Sequence, residues 1–262
     1  MMRGVRVSYS SPQGHGFELL SPPGEGRRRR PVNIPEGGLD GLVESLDFTD
    51  VESVTRYGAR QVDFKASPVE FDLPVRVTNV DKSLDEQDRD WRQAWSPFKD
   101  GRLTVVNVAG QNRWTPVRLA SMTAPPHLLH RKRSVEMTVS ARAMSGCWFG
   151  ATQRYFDTVT LIPVGTLPPS LRLKWDGSST SVTFPTGSTV NLPAVSGTRF
   201  INLDYGYSGQ VTFESGLVDS VAWSQLRGLV TGLTLTPHEP ADFILGTGLT
   251  LEVTPRYLSP WG

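Results

Sequence analysis

The sequence predicts a mainly β protein with two domains. Short segments in which apolar and polar residues alternate recur along the chain, and 25 Gly and 20 Pro residues supply turns between them. A length of 262 residues fits two domains of ordinary size, and 38% hydrophobic residues are enough to build a core. We predict an N-terminal β-rich domain with one short helix over residues 1–146, and a C-terminal antiparallel β-sandwich over residues 147–262.

The most informative part of the first domain is the segment from residue 75 to residue 119, which sets one helix among strands. Alternation predicts a strand at residues 75–80, and a charged segment with two tryptophans predicts a helix at residues 83–95. A Pro-Phe-Lys-Asp-Gly break then ends the helical pattern. The strands expected after this break lie at residues 102–108, 115–119 and 134–143.

The helix has a clear start and one apolar face. Ser83 and Glu86 have the spacing of a capping box, in which each side chain binds the other residue's backbone N–H. Leu84, Trp91 and Trp95 share one face. The two tryptophans are candidate packing or inter-subunit anchors, and two interpretations stay open: they pack on their own sheet, or one contacts a neighbouring subunit. We expect them to face inward.

The second domain shows almost no helical periodicity. Gly-containing turns separate many short strand candidates, which is the spacing of an antiparallel sandwich. The one helical segment expected there is residues 219–226. The predicted strands lie at residues 158–163, 171–175, 182–185, 199–203, 210–214, 229–236 and 249–254.

The histidines, the cysteine and the acidic residues do not form a recognisable catalytic or metal-binding motif. His127 and His130 are three residues apart, but no acidic partner follows them, so we interpret them as a loop pair. The sequence has no nucleophile elbow, no His-Glu-x-x-His motif and no phosphate-binding loop. Cys147 is the single cysteine and is expected to be a buried, inert thiol. We therefore predict no enzyme activity and no catalytic, metal or cofactor-binding residues.

Charge and hydropathy limit the function classes further. The 27 basic and 26 acidic residues leave a formal net charge of +1, which argues against a protein whose main role is to grip nucleic acid. No apolar run reaches the roughly 18 residues of a membrane-spanning helix, and the N-terminus does not resemble a signal peptide. We expect a soluble protein made in a cytoplasm, without membrane insertion.

Two features are candidates for binding. A loop rich in Pro, Gly and Arg contains four adjacent arginines that could face a channel or a partner, although a solvated loop explains them equally well. Two tryptophans of the second domain could stack on a glycan, although core packing is the simpler explanation. These candidate residues are Arg27, Arg28, Arg29 and Arg30 in the loop, and Trp175 and Trp223 in the second domain.

A series of short motifs extends along nearly the whole chain. The motifs are GLDG at 38–41, TRYGARQ at 55–61, the Trp91/Trp95 helix, GRLTV at 101–105, residues 113–119, WFG at 148–150 and LRLKWDG at 171–177. By its order and spacing, the series resembles the distal tail (Dit) proteins of long, non-contractile phage tails, especially the minor tail proteins of phages that infect actinobacteria. Residues 26–31 and 206–220 depart from the pattern.

The resemblance implies a structural component of the tail tip. In that family a split-barrel-like N-terminal domain forms a homo-hexameric ring, and a galectin-like C-terminal β-sandwich lies outside it. The ring joins the tail tube protein to the tail-tip hub, and the tape measure protein and then the DNA pass through it in transit. The protein would then belong to the virion, after assembly in the bacterial host cytoplasm.

Two other classes of function stay open. A carbohydrate-binding module for host attachment is compatible with a tail role, because an outer sandwich could serve both. A hydrolase is the third class, and the absence of catalytic motifs counts against it.

Overall fold

The computed structural model describes residues 4–22, 30–39, 42, 46–52, 59–124, 132–207 and 209–261, with the backbone alone for 46–52 and 59–65. The chain divides into two compact units. The first contains Met1–Phe149 together with Leu258–Gly262, and the second contains Gly150–Tyr257. The last residues of the chain thus belong with the first unit, where the Asn107 side-chain amide donates to the Trp261 carbonyl oxygen at 3.3 Å. The sequence-based division placed them in the second domain.

The first unit is built from antiparallel strands and one helix, as predicted. Its helix, α1, spans Leu84–Gln93. Its strands are β1 (Arg6–Ser10), β2 (Gly16–Leu20), β3 (Val32–Asn33), β4 (Leu46–Glu52), β5 (Ala59–Ala66), β6 (Val69–Thr78), β7 (Gly101–Val106), β8 (Asn112–Met122), β9 (Ser134–Ala143) and β10 (Trp148–Phe149).

The long strand β8 is shared between two parts of the first unit. Its first half pairs with β7, and β7 pairs with β1 and β1 with β2. Its second half pairs with β9, which continues through β6 to β3. The register shifts between Leu119 and Ser121, where the partner changes. Such an irregularity bends a strand and lets it serve two sheets.

Helix α1 follows β6 and begins as the sequence predicts. The Ser83 side chain accepts from the Glu86 backbone N–H, and the Glu86 carboxylate accepts from the Ser83 backbone N–H at 3.1 Å, which completes the capping box. The helix ends at Gln93, and the Ser96 hydroxyl oxygen accepts from the backbone N–H of Lys99 at 3.0 Å. Neither helix in the described part of the chain has the length and apolar character that crossing a membrane requires.

The second unit is an antiparallel sandwich of two sheets. One sheet has the strand order β17-β16-β13-β19-β11, and the other has the order β12-β18-β14-β15. Helix α2 spans Ser220–Leu226. The strands are β11 (Gln153–Tyr155), β12 (Thr158–Leu161), β13 (Leu167–Trp175), β14 (Thr180–Thr183), β15 (Thr189–Leu192), β16 (Arg199–Asn202), β17 (Val211–Phe213), β18 (Ala241–Leu245) and β19 (Leu249–Tyr257).

A single apolar core lies between the two sheets of this unit. Alternate residues of β13 (Leu171, Leu173 and Trp175) enter it from one sheet, and Val182 and Phe243 enter it from the other. The alternation with period two therefore gives each strand one buried face, as in other β-sandwiches. The short helix α2 lies where the sequence predicts it and closes the core with Ala222 and Leu226.

One predicted strand of the second unit is wrong. Residues 229–236 do not form a strand, and only isolated bridges occur at Val230 and Leu233. Gly232 lies against the backbone of Tyr205, where an added Cβ would come within 2.6 Å of the Tyr205 Cα. Val230 and Leu235 of this segment enter the core from a loop. The segment therefore has the apolar residues typical of a strand although it does not form one.

Candidate assembly surfaces

The large aromatic side chains around α1 form one interior cluster in the first unit. Tyr9 of β1 stacks on Trp95 with ring centroids 4.0 Å apart, and Trp91 meets Trp95 edge-on at 5.5 Å. Phe17 of β2 meets Trp91 edge-on at 5.1 Å. Trp91 is fully buried and Trp95 is 5% exposed. Both indoles therefore pack on strands of their own unit, and no face of Trp91 is available to a neighbouring subunit.

Tyr9 holds this cluster to the end of the helix. Its hydroxyl group donates to the Ala94 carbonyl oxygen at 2.9 Å, and burial raises the pKa of Tyr9 well above its usual value. Gly101 lies against the Tyr9 ring, where an added Cβ would come within 2.5 Å of the phenol oxygen. The sequence carries one signal for this role, which is the alternation of Val5, Val7 and Tyr9.

The predicted basic loop is described only in part. Arg27, Arg28 and Arg29 lie outside the described residues, as do His127 and His130. Arg30 lies 3.5 Å from the Glu18 carboxylate. A hydrogen bond from Ser21, followed by the charge of Arg30, lowers the pKa of Glu18. The prediction that this loop faces a channel or a partner stays a prediction.

The outer face of β6 and β9 carries charges that neutralise one another across the strands. Arg76 and Glu136 form an ion pair at 2.5 Å, and Arg142 lies 3.6 Å from Glu70. The same alternation that buries one face of each strand places these residues opposite each other on the other face. The face therefore has no net charge from these residues.

Strands β4 and β5 form a hairpin that stands apart as a two-stranded sheet. Leu46 pairs with Ala66, Phe48 with Phe64, and Glu52 with Ala59, with a shift in register after Thr49. In the described part of the chain, these strands form backbone ladders with each other only. An isolated two-stranded hairpin is marginally stable in water.

The structure contradicts one of the two proposed glycan-stacking residues. Trp175 is fully buried in the core of the second unit, and its indole N–H donates to the Ser178 carbonyl oxygen at 2.7 Å. A sugar therefore cannot reach either face of this ring. Trp223 is half-buried against the same core, and the Arg227 guanidinium lies 6.0 Å from its ring centroid. Glycan stacking by Trp223 stays a prediction.

Two tyrosines are among the exposed aromatic residues of the second unit, and neither was a predicted site residue. Tyr205 is 84% exposed and Tyr207 is 52% exposed, on the loop between β16 and β17. Asp204 fixes the base of this loop, because its carboxylate accepts from the Leu171 backbone N–H at 2.8 Å and from Arg256 at 2.5 Å. The signal available in the sequence is the Asp-Tyr-Gly-Tyr-Ser-Gly run at residues 204–209, in which Tyr and Gly alternate.

A second exposed apolar group of the same unit surrounds the start of α2. Asp219 caps the helix by accepting from the Ala222 N–H at 3.0 Å and binds Arg199 at 2.7 Å, with both charged side chains almost completely buried. This pair links strand β16, which carries Arg199, to the start of the helix. The exposed side chains around it are Phe213, Leu217, Val218 and Val221.

None of these surfaces contains a metal-ligating set. The described residues include no group of three or more His, Cys, Asp or Glu side chains placed to hold a metal ion. Cys147 is buried.

Comparison with solved structures finds similar folds in proteins of phage adsorption and baseplate assemblies. The chain is similar to the Dit protein of phage SPP1, described as a paradigm of the hub adsorption apparatus in phages that infect Gram-positive bacteria. The TM-score is 0.60 at 10% identity, over 97% of this chain and 99% of that one. It is also similar to a chain of the phage P2 baseplate in its activated conformation with Ca, with a TM-score of 0.53 at 7% identity, over 96% and 98% of the two chains.

A further structure of that baseplate, with Sr, gives a TM-score of 0.52 at 7% identity, over 95% of this chain and 97% of that one. No family model matches the sequence, and no curated protein matches it. The prediction of a mainly β, Dit-like fold is confirmed.

Proposed function

We propose that this protein is a structural, non-enzymatic component of a phage tail tip. The observation that carries the proposal is the extent of the structural similarity, because 97% of this chain and 99% of the SPP1 Dit chain correspond. Both units are included, so the likeness is not that of one common sandwich. Fold alone does not determine function. Here, however, the motif order in the sequence and the fold indicate the same family independently.

We further propose that six copies form a ring that joins the tail tube to the tail-tip hub. A closed ring needs two different complementary faces on each subunit. The β4–β5 hairpin is our candidate for one of them, because an isolated two-stranded sheet gains most from packing on another chain. The other face would lie on the first unit of the next subunit.

The proposed ring would let the tape measure protein and then the genome pass. A channel for DNA must not hold phosphates strongly, because each phosphate contact adds affinity. The formal net charge of +1 and the cross-strand ion pairs on the outer face of β6 and β9 are compatible with such a conduit. Assembly would take place in the bacterial host cytoplasm, and the finished protein would be part of the virion.

We place the second unit, as a galectin-like sandwich, on the outside of the proposed ring. The alternative function, carbohydrate binding for host attachment, now depends on Trp223 and on the exposed tyrosines, because Trp175 is buried. Of Trp223 and the loop that carries Tyr205 and Tyr207, the loop would be more accessible to a sugar.

Native mass spectrometry of the purified protein tests the ring. We expect a six-chain species at high concentration or with the tail tube protein. Replacement of residues 47–65 by a short Gly-Ser turn should give monomers that keep the near-ultraviolet signal of the Tyr9–Trp95 cluster. Val108→Ser changes an exposed apolar residue of the same unit and should leave the ring intact. Rings formed equally well without the hairpin would contradict its proposed role.

A further inference from the structure

A cleft in the first unit lies between the β1–β2 hairpin and helix α1. Its volume is about 550 Å³, which is in the range of sites that bind a small ligand or a short peptide. Gly16 and Phe17 of β2 line one wall, and Gln87, Asp90 and Gln93 of α1 line the other. The proposed ring contact at the β4–β5 hairpin does not use this cleft.

The wall formed by β2 exposes part of a strand edge. The Ser11 N–H donates to the His15 carbonyl oxygen at 2.8 Å, and the His15 N–H donates to the Ser11 hydroxyl oxygen at 3.0 Å, so both polar groups of His15 face β1. Backbone groups alternate in direction along an antiparallel strand. The N–H and C=O of Gly16 therefore point away from β1, and in the described part of the chain no hydrogen bond uses them.

The Leu19 end of this edge is covered, but the end at Gly16 is open. The Ile34 N–H donates to the Leu19 carbonyl oxygen at 3.0 Å, so the chain next to β3 occupies the far end of β2. A Cβ added to Gly16 would meet nothing within 4 Å. Proteins usually protect an exposed strand edge with a charge, a proline or a covering loop. Gly16 has none of these, so another backbone can approach it closely.

The opposite wall offers neutral amide groups. Gln87 is buried to 7% exposure although it is polar, and Gln93 lies farther along the same helix. Each amide carries both a donor and an acceptor, as a peptide group does. Lys82 and Asp90 form an ion pair at 2.5 Å and so neutralise each other. The half-buried Phe17 adds an apolar surface.

We propose that this cleft binds an extended, uncharged peptide segment of a partner protein, which adds to β2 as a short strand. Addition of a strand to an exposed sheet edge uses main-chain hydrogen bonds for affinity and side-chain pockets for specificity. The open N–H and C=O of Gly16 can pair with one edge of the added strand. The side-chain amides of Gln87 and Gln93 can hydrogen-bond the backbone groups on its other edge. A neutral sugar could use the amides as well, but it has no repeating backbone to pair with Gly16.

An amide-resolved NMR titration of the full chain tests the proposal. The probe is a tri-alanine peptide with an acetylated N-terminus and a methylamide C-terminus, and N-acetylglucosamine is used in a parallel arm. We expect saturable shifts of the Gly16 backbone amide and the side-chain amides of Gln87 and Gln93 with the peptide. The absence of saturable shifts with the peptide, or saturable shifts with the sugar alone, would overturn the proposal.

Two substitutions at Gly16 distinguish loss of the backbone hydrogen bond to the peptide from the effect of adding a side chain. Gly16→Pro removes the outward N–H and should weaken peptide binding by about tenfold, the upper end for one net hydrogen bond. Gly16→Ala keeps the N–H and has space for its methyl group, so it should bind as the natural chain does. Gln87→Leu tests the other wall if the proline variant does not fold. Unchanged peptide binding in both Gly16→Pro and Gln87→Leu, with the fold intact, would refute the site.

Discussion

The aromatic cluster around α1 in the first unit is buried, whereas the tyrosine loop between β16 and β17 in the second unit is exposed. Trp91 is fully buried beneath α1, and Tyr205 is 84% exposed on a loop whose base Asp204 fixes. The difference lies in the neighbouring residues. A capped helix between strands directs Trp91 onto a sheet, while glycines around Tyr205 form a turn without an apolar face. The comparison teaches that an aromatic residue indicates a binding surface only where its local structure cannot bury it.

Loss of a buried indole should have the largest effect. Trp91→Ala removes the ring that meets Tyr9, Phe17 and Trp95, and we expect the free energy of unfolding to fall by about 3–5 kcal/mol. Chemical denaturation followed by far-ultraviolet circular dichroism measures it. A loss below about 1 kcal/mol would show that the cluster does not support the first unit as described.

Loss of the buried ion pair between Arg199 and Asp219 in the second unit should have the next largest effect on stability. Arg199→Met leaves the buried Asp219 carboxylate without its partner at 2.7 Å, which should cost about 3 kcal/mol of stability. Arg76→Met is the matched control, because it breaks an exposed pair with Glu136 and should cost less than about 1 kcal/mol. Equal losses in the two variants would contradict the assigned difference in burial.

Acid should weaken the second unit through the same carboxylate. The Ala222 backbone N–H, and after it Arg199, lower the pKa of Asp219 in the folded protein. Its contribution is therefore present above the unfolded pKa of about 3.9 and is lost as the pH falls through the lower folded pKa. Unfolding curves measured between neutral and strongly acidic pH should show a smaller pH dependence for Asp219→Asn. An unchanged slope would exclude Asp219 as the titrating group.

Removal of an exposed aromatic ring should have the smallest effect on stability. Tyr205→Ala changes a side chain that is 84% exposed, so the free energy of unfolding should stay within about 0.5 kcal/mol. The same denaturation experiment used for Trp91→Ala measures it. A loss as large as that of Trp91→Ala would erase the contrast between the two units.

The sequence predicts the parts of the fold that local chemistry determines. The capping box at Ser83 and the alternation of β9 predict α1 and β9, and Asp219 marks the start of α2. The wrong strand at residues 229–236 has the right composition, but contact with Tyr205 at Gly232 holds it in a loop. Such long-range contacts are not visible in local patterns.

The candidate sites were harder to predict than the fold. Trp175 is a candidate for glycan binding only as a tryptophan of a β-sandwich, and its alternation with Leu171 and Leu173 is what directs it into the core. The cleft beside Gly16 depends on which way the backbone groups of β2 point. The direction in which the N–H and C=O of Gly16 point follows from the pairing of β2 with β1, so only the structure could reveal it.

Cryo-electron microscopy of the virion tests the proposed tail-tip role most directly. The proposal predicts six copies of this chain in a ring at the junction of the tail tube and the tip, with the first units lining a channel and the second units outside. Absence of the chain from the virion, or its presence only as scattered monomers on the outside of the tail, would contradict that role.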